Sequence, residues 1–228
     1  MRIGRANFLN LGLVILSFAL AAALYNRLPA SMPIHWNARG EANGFAPKAW
    51  GAFLMPGVMA GSYLLLLVVP RMSPRGFGVE RFQRVFEIFQ TTILAFLLLM
   101  TVLILLAGVG VKVPMDRAVY TGVGLLFVVL GNFMGKVTRN FFVGIRTPWT
   151  LASDEVWLRT HRLGGKLFVL AGLGLCASGL LGGGLVPLLA AIAIAGVVPV
   201  IYSYVLYRRI EGTRTDARVP PGRRPWSE

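Results

Sequence analysis

Two polar stretches carry side chains whose types and spacing suit chemistry. Residues 28–48 read LPASMPIHWNARGEANGFAPK, with His35, Trp36 and Asn37 in a row, then Gly40 and Lys48. Residues 135–164 read GKVTRNFFVGIRTPWTLASDEVWLRTHRLG. In this second stretch Lys136, Arg139, Asn140 and Arg146 are donors of the kind that grip phosphate or carboxylate, and Thr147-Pro148 sets a rigid bend. Ser153 suits the cap of a helix whose first turn holds Asp154 and Glu155, and Glu155 and Arg159 form an i,i+4 ion pair. On that helix Trp157, Thr160, His161 and Gly164 share one face. An aromatic, a hydroxyl and an imidazole side by side suit ligand contact or proton transfer; Trp and Arg there equally suit anchoring to anionic headgroups.

Catalytic signatures are missing. The sequence has no GxSxG, HExxH, P-loop or GxGxxG followed by an acidic residue, and none of its nine carboxylates is spaced with a histidine as metal ligands are. His35 and His161 fall in different loops on opposite sides of a bilayer core of about 30 Å, so they share neither a metal nor a catalytic site. No catalytic residue, metal or cofactor is assigned.

The elements that hold these stretches are set by composition. Of 228 residues 56% are hydrophobic and 14% charged, far from a soluble domain and from a disordered chain. Charge-free apolar runs give six spans: Phe8–Tyr25, Trp50–Val69, Ile88–Val111, Ala118–Met134, Leu167–Leu185 and Val186–Leu206. The predicted fold is an all-α integral membrane six-helix bundle. The first span reads as a retained helix rather than a signal peptide, because it is longer than the usual apolar region of one. Cys176, the single cysteine, has no intramolecular disulfide partner.

A net charge of +14 would suggest nucleic acid in a soluble protein. Here 18 of the 23 Lys and Arg residues lie in the segments 1–7, 70–87, 135–166 and 207–228, against Arg27, Arg39, Lys48, Lys112 and Arg117 on the other side. The positive-inside rule therefore places both termini in the cytoplasm, and no nucleic-acid partner is called for. All five tryptophans fall in loops, the tail or at span ends, as amphipathic indoles prefer. The chain divides into 1–70 (two helices and the outer loop), 71–111 (basic loop and third helix), 112–207 (helices four to six with the inner loop) and 208–228, a basic tail read as disordered.

Small residues place the fifth helix near the bundle centre, while the uniformly aliphatic Leu94–Leu106 predicts a lipid-facing third helix. Gly57 and Gly61, and Gly131 and Gly135, are candidate GxxxG contacts; Pro56 and Pro199 predict kinks, and Asn132 a hydrogen bond across a helix interface. The spans contain no ionisable residue, which argues against an ion-coupled transporter. In the outer loop Ile34 and Trp36 alternate about His35 as in a strand, with turns expected at Asn37–Gly40 and at Asn43-Gly44. Such a cap either contacts an extracellular molecule or plugs the bundle.

These two loops resemble the SdpI family of multi-pass bacterial membrane proteins. Leu28-Pro29, Pro33-Ile34-His35-Trp36-Asn37, Gly40 and Lys48 are similar to the domain of unknown function that commonly forms the first part of these proteins. Gly135-Lys136, Asn140, Gly144-Ile145-Arg146-Thr147-Pro148-Trp149-Thr150, Val156-Trp157, Thr160-His161-Arg162 and Gly164 resemble the family's signature. The chain departs from the usual pattern at Arg139, where a proline is usual, and at Asn43, where an acidic residue is usual.

The resemblance implies a non-enzymatic immunity protein in the bacterial cytoplasmic membrane, protecting its cell from a secreted membrane-active peptide toxin. His35, Trp36, Asn37, Gly40 and Lys48 are the expected ligand contacts outside, and the stretch from Lys136 to Gly164 the functional loop inside. The founding member also signals by holding a transcriptional repressor at the membrane, so a cytoplasmic regulator is a partner that the resemblance admits and no residue here identifies. Two other classes stand beside this one: a membrane enzyme or phospholipid-headgroup-binding protein using Lys136, Asn140, Arg146 and His161, and a small-solute transporter.

Overall fold

Apolar runs of this length fold as helices in a bilayer because every backbone polar group must be satisfied within the segment. In the computed structural model, which describes residues 5–72, 77–182 and 184–218, six helices are long and apolar enough to cross a membrane: Ala6–Arg27, Lys48–Met72, Val79–Gly108, Met115–Met134, Asp154–Leu181 and Leu185–Ile210. Each contains most of one predicted span. The regular elements are α1 (Arg5–Leu24), β1 (Ser31–Trp36), β2 (Ala42–Pro47), α2 (Lys48–Val68), α3 (Gln83–Gly108), α4 (Met115–Met134), α5 (Pro148–Ala152), α6 (Asp154–Leu181), α7 (Leu185–Ile192) and α8 (Val198–Arg218).

The antiparallel pair β1–β2 departs from the all-α expectation. It caps one end of the bundle, while the α2–α3 and α4–α6 connections meet at the other, where the Phe77 and Phe141 rings pack at a tilt with centroids 4.6 Å apart. We refer to these as the hairpin end and the loop end.

Helices α1, α2 and α3 pack on one another, α4 pairs with α6, and α6 carries α7 and α8; α3 against α4 joins the two groups. The expectation that α3 faces lipid is therefore corrected. It buries Phe86, Phe89, Gln90, Leu94, Thr101, Leu103 and Leu105, and among the described residues Leu99 is its only exposed large hydrophobe. A helix in contact on several sides is apolar all round for the same reason as one in lipid, so composition does not separate the two cases. Polar side chains bind this group: Thr91 Oγ1 donates to Asn10 Oδ1 (2.8 Å), Gln90 Nε2 to the Leu66 carbonyl (3.0 Å) and Tyr63 to the Asn7 carbonyl (3.2 Å).

The α4–α6 pair is a glycine seam with a seven-residue repeat. A Cβ on Gly124 would lie 2.6 Å from the Gly172 carbonyl oxygen, one on Gly131 2.7 Å from that of Gly165, and one on Gly179 2.8 Å from that of Arg117. Two helices meet backbone to backbone only where side chains are absent, and a period of seven keeps the seam on one face of both. The central place predicted for α6 holds in this sense. Of the GxxxG candidates Gly131 makes such a contact, but Gly57 and Gly61 have nothing near a Cβ position and Gly135 meets only Arg162, at ordinary contact distance.

Pro199 follows a π-helical turn at Ala193–Val197, which absorbs the hydrogen bond that proline cannot make. Asn132 is exposed and makes no bond across the α4–α6 interface, contrary to expectation. Helix α8 continues to Arg218, so 208–218 are helical where disorder was expected; the rest of that tail lies outside the described residues.

Candidate functional site

The hairpin is built from local turn chemistry. Asn37 Oδ1 accepts the Arg39 N–H (2.9 Å) and the Glu41 N–H (3.1 Å), Asn37 Nδ2 donates to Glu41 Oε2 (2.7 Å), and Gly40 takes the left-handed φ of +76° that closes the turn. The Asn37 amide and then the Arg39 guanidinium hold the Glu41 carboxyl below its ordinary value, so it is ionised at neutral pH and loses these contacts only as pH falls through the lowered value. Asn43-Gly44, expected as a second turn, instead lies within β2 opposite an irregularity in pairing: His35 faces Gly44 and Trp36 faces Ala42. His35 Nδ1 sits 2.6 Å from Asn43 Oδ1, and a Cβ on Gly44 would meet the His35 Cβ at 2.8 Å.

Met32, fully buried, locks the hairpin to the bundle. It lies where a Cβ on Gly51 of α2 (2.5 Å) or on Gly108 of α3 (2.7 Å) would collide with it. Lys48, expected as a ligand contact, places its ammonium 4.7 Å from the Tyr25 ring centroid. At the far tip Gly40 packs on Asp116 at the start of α4. The hairpin thus bridges both helix groups and roofs a cavity of about 490 Å³ beneath it. Its walls are Met55 of α2, Met100 and Ile104 of α3, Met115, Val119 and Tyr120 of α4, and Leu188 of α7, with Ile34 to Ala38 above. The space is apolar, with His35, Asn37 and Asp116 as its polar rim. Methionine is flexible and polarisable, so such walls adapt to varied apolar shapes.

At the loop end, the second stretch folds into a self-contained hydrogen-bonded core. Asn140 is fully buried and spends its amide on the loop itself: Oδ1 accepts the N–H groups of Phe142 (2.8 Å) and Val143 (2.7 Å), and Nδ2 donates to the carbonyls of Thr138 (2.8 Å) and Val143 (3.0 Å). Thr147 caps α5 in a capping box with Thr150, with Pro148 at the first helical position. Thr147 Oγ1 also meets Ser203 Oγ at 3.0 Å and Trp149 packs 4.9 Å from the Tyr204 ring, which ties the loop to α8.

Helix α6 begins where the sequence places it. Ser153 Oγ accepts the Val156 N–H (3.4 Å), and Glu155 pairs with Arg159 (2.6 Å). The motif helix runs unbroken into the fifth span, so Trp157, Thr160, His161 and Gly164 form a buried stripe at the loop end of a membrane helix. Trp157 Nε1 donates to the Val137 carbonyl (2.7 Å) and its ring stacks on His161 at 4.0 Å. His161 Nδ1 lies 2.8 Å from the Trp157 carbonyl oxygen, which only accepts, so Nδ1 carries the proton. The Ile145 N–H donates to Nε2 (2.9 Å), so Nε2 carries none. The ring is the neutral Nδ1–H tautomer with both nitrogens taken. Gly144, with φ +111°, admits it: a Cβ there would sit 2.3 Å from Nε2.

The structure thus joins Asn140, Gly144, Thr147, Thr150, Trp157, His161 and Gly164 in one framework with no free imidazole nitrogen. Lys136, Arg146 and Arg162 remain on its surface, with Lys136 against the Phe133 ring and Arg146 donating to the Phe141 carbonyl. Arg139 pairs with Asp154 (2.8 Å) and donates to the Leu151 carbonyl (2.8 Å). The grouping of Lys136, Asn140, Arg146 and His161 around one ligand is not formed. The apolar cavity escaped sequence reasoning, because its walls come from α2, α3, α4 and α7, and methionines inside spans look like core.

Residues 136–203 match the SdpI/YfhL protein family, and residues 12–60 match a domain of unknown function, DUF1648. The first match covers the loop with α5 to α7 and the start of α8, the second most of α1, the hairpin and the first half of α2. Over 212 residues the chain is 27% identical to the immunity protein SdpI of Bacillus subtilis (strain 168), an alignment covering 92% of this chain and 100% of that relative. No solved structure matches the chain.

Proposed function

We propose that this chain, which carries the SdpI/YfhL family domain, is a membrane immunity protein that protects its cell from a secreted membrane-active peptide. The observation that carries this reading is the alignment with the Bacillus subtilis immunity protein along that relative's whole length. The bundle sits in the bacterial cytoplasmic membrane with both termini inside, a placement supported by the excess of Lys and Arg in the loop-end segments. The hairpin end then faces outward, toward an arriving peptide.

The mechanism is capture. A membrane-active peptide presents apolar side chains at the outer surface, and the cavity under the hairpin offers them a site walled by Met55, Met100 and Met115. Trp36 and Asn37 meet the peptide at the rim, and a peptide seated there is held from inserting further. A signalling role falls to the loop end, where the surface presents Lys136, Arg146 and Arg162 to a cytoplasmic regulator.

The test is survival of a toxin-sensitive strain challenged with secreted membrane-active peptides. Cells expressing the chain are expected to survive at least about tenfold better than vector controls against one peptide of the panel, a change of the order that a tenfold difference in affinity represents. Equal killing across the panel, with the chain folded in the membrane, contradicts the reading.

A further inference from the structure

A groove of about 550 Å³ runs along the outside of the glycine seam from the loop end. Its floor is Gly131 and Gly135 of α4 with Gly165 of α6, where the two helix backbones come close. At its mouth stand Asn132, Arg162 and Lys166, all exposed, and deeper along α6 it is lined by Val169 and Leu170. Arg162 and Lys166 are one helical turn apart on the same face, and neither has a carboxylate partner among the described residues. Leu170 is 63% exposed and Leu173, one turn below, 53%, so this wall faces lipid. Gly135 also borders a second pocket of about 270 Å³ that adds Arg81 and Lys136. The polar-to-apolar step from Arg162 to Leu170 spans about 12 Å along the helix, the depth from headgroup to upper acyl chain.

We propose that this groove is a binding site for an anionic phospholipid, with the phosphate held by Arg162, Lys166 and the Asn132 amide and an acyl chain lying along Val169 and Leu170. Charge decides the occupant: two unpaired cations at headgroup depth disfavour an apolar partner helix and match a phosphodiester. Apolar continuity decides the rest, since a free phosphate leaves the lower groove unfilled.

The test uses the full chain purified in detergent, with retained lipid measured by native mass spectrometry. Dioleoylphosphatidylglycerol is expected to stay bound where dioleoylphosphatidylcholine of the same chain length does not. Retention should fall about tenfold in Arg162→Gln/Lys166→Gln, a loss equivalent to about 1.4 kcal/mol, and remain unchanged in Lys112→Gln at the hairpin end. Val169→Trp, which fills the acyl half without touching charge, should also weaken retention. Equal retention by the double variant, or equal retention of the two lipids, overturns the proposal. Displacement of phosphatidylglycerol by inorganic phosphate alone would mark a soluble-anion site and overturn it as well.

Discussion

Replacing Gly172 with leucine prevents α4 and α6 from meeting, and the chain no longer accumulates as a monodisperse folded protein. A Cβ at this position would lie 2.6 Å from the Gly124 carbonyl oxygen and 2.8 Å from the Val128 nitrogen. Both are backbone atoms of a helix, so no rotamer change relieves the overlap. Overpacking a core side chain costs about 1–3 kcal/mol, and a backbone collision belongs at or above the top of that range. Gly174→Leu, two residues along the same helix, is the control, since nothing lies within 4 Å of its Cβ position. Size-exclusion profiles of fluorescent fusions should show loss of the folded peak for Gly172→Leu and an unchanged peak for Gly174→Leu.

Gly144→Ala is expected to be nearly as damaging, by a different route. The backbone there has φ +111°, which costs an L-residue about 1–3 kcal/mol, and the new methyl displaces His161 from the Ile145 N–H. A buried donor left without its partner costs about 1–3 kcal/mol more. His161→Ala removes the same bond together with the stacking on Trp157. Because the methyl collides with the imidazole, the two substitutions are coupled: Gly144→Ala should destabilise the His161→Ala protein less than the wild type, by the backbone strain alone. Thermal unfolding in detergent across the four proteins of this cycle measures the coupling, and strictly additive losses would show that the glycine is not there to admit the ring.

These two sites mark the boundary of what the sequence makes legible. Features set by neighbours in the chain can be read directly: the six charge-free runs, the Ser153 cap, the Glu155–Arg159 pair and the Asn37–Gly40 turn all depend on residues a few positions apart. Features set by distant partners cannot. Gly144 and His161 are adjacent only after the loop folds back, so the sequence offers a hydrogen-bonded imidazole as readily as a ligand and does not show that the Ile145 N–H and the Trp157 carbonyl occupy its nitrogens. The glycine seam is hidden by its period, because Gly124 and Gly131, and Gly165, Gly172 and Gly179, are seven apart while a search for small contacts looks four apart. Helix α3 is misplaced in lipid because a helix buried among three neighbours carries the same aliphatic composition. Asn43-Gly44 has the composition of a tight turn, yet the Asn37 amide closes the hairpin earlier and leaves that dipeptide inside a strand.

Protection is expected to depend on the apolar cavity beneath the hairpin. Val119→Trp fills that cavity from the α4 wall, and Trp36→Ala removes its rim aromatic while leaving the Met32 anchor in place. The direct measurement is peptide survival of a sensitive strain expressing wild type, Val119→Trp, Trp36→Ala or, at the other end, Arg146→Gln, all at matched membrane levels. Both cavity variants are expected to lose at least about tenfold in protection, the order of a tenfold loss of affinity, while Arg146→Gln protects as the wild type does. Full protection by Val119→Trp and Trp36→Ala would contradict it.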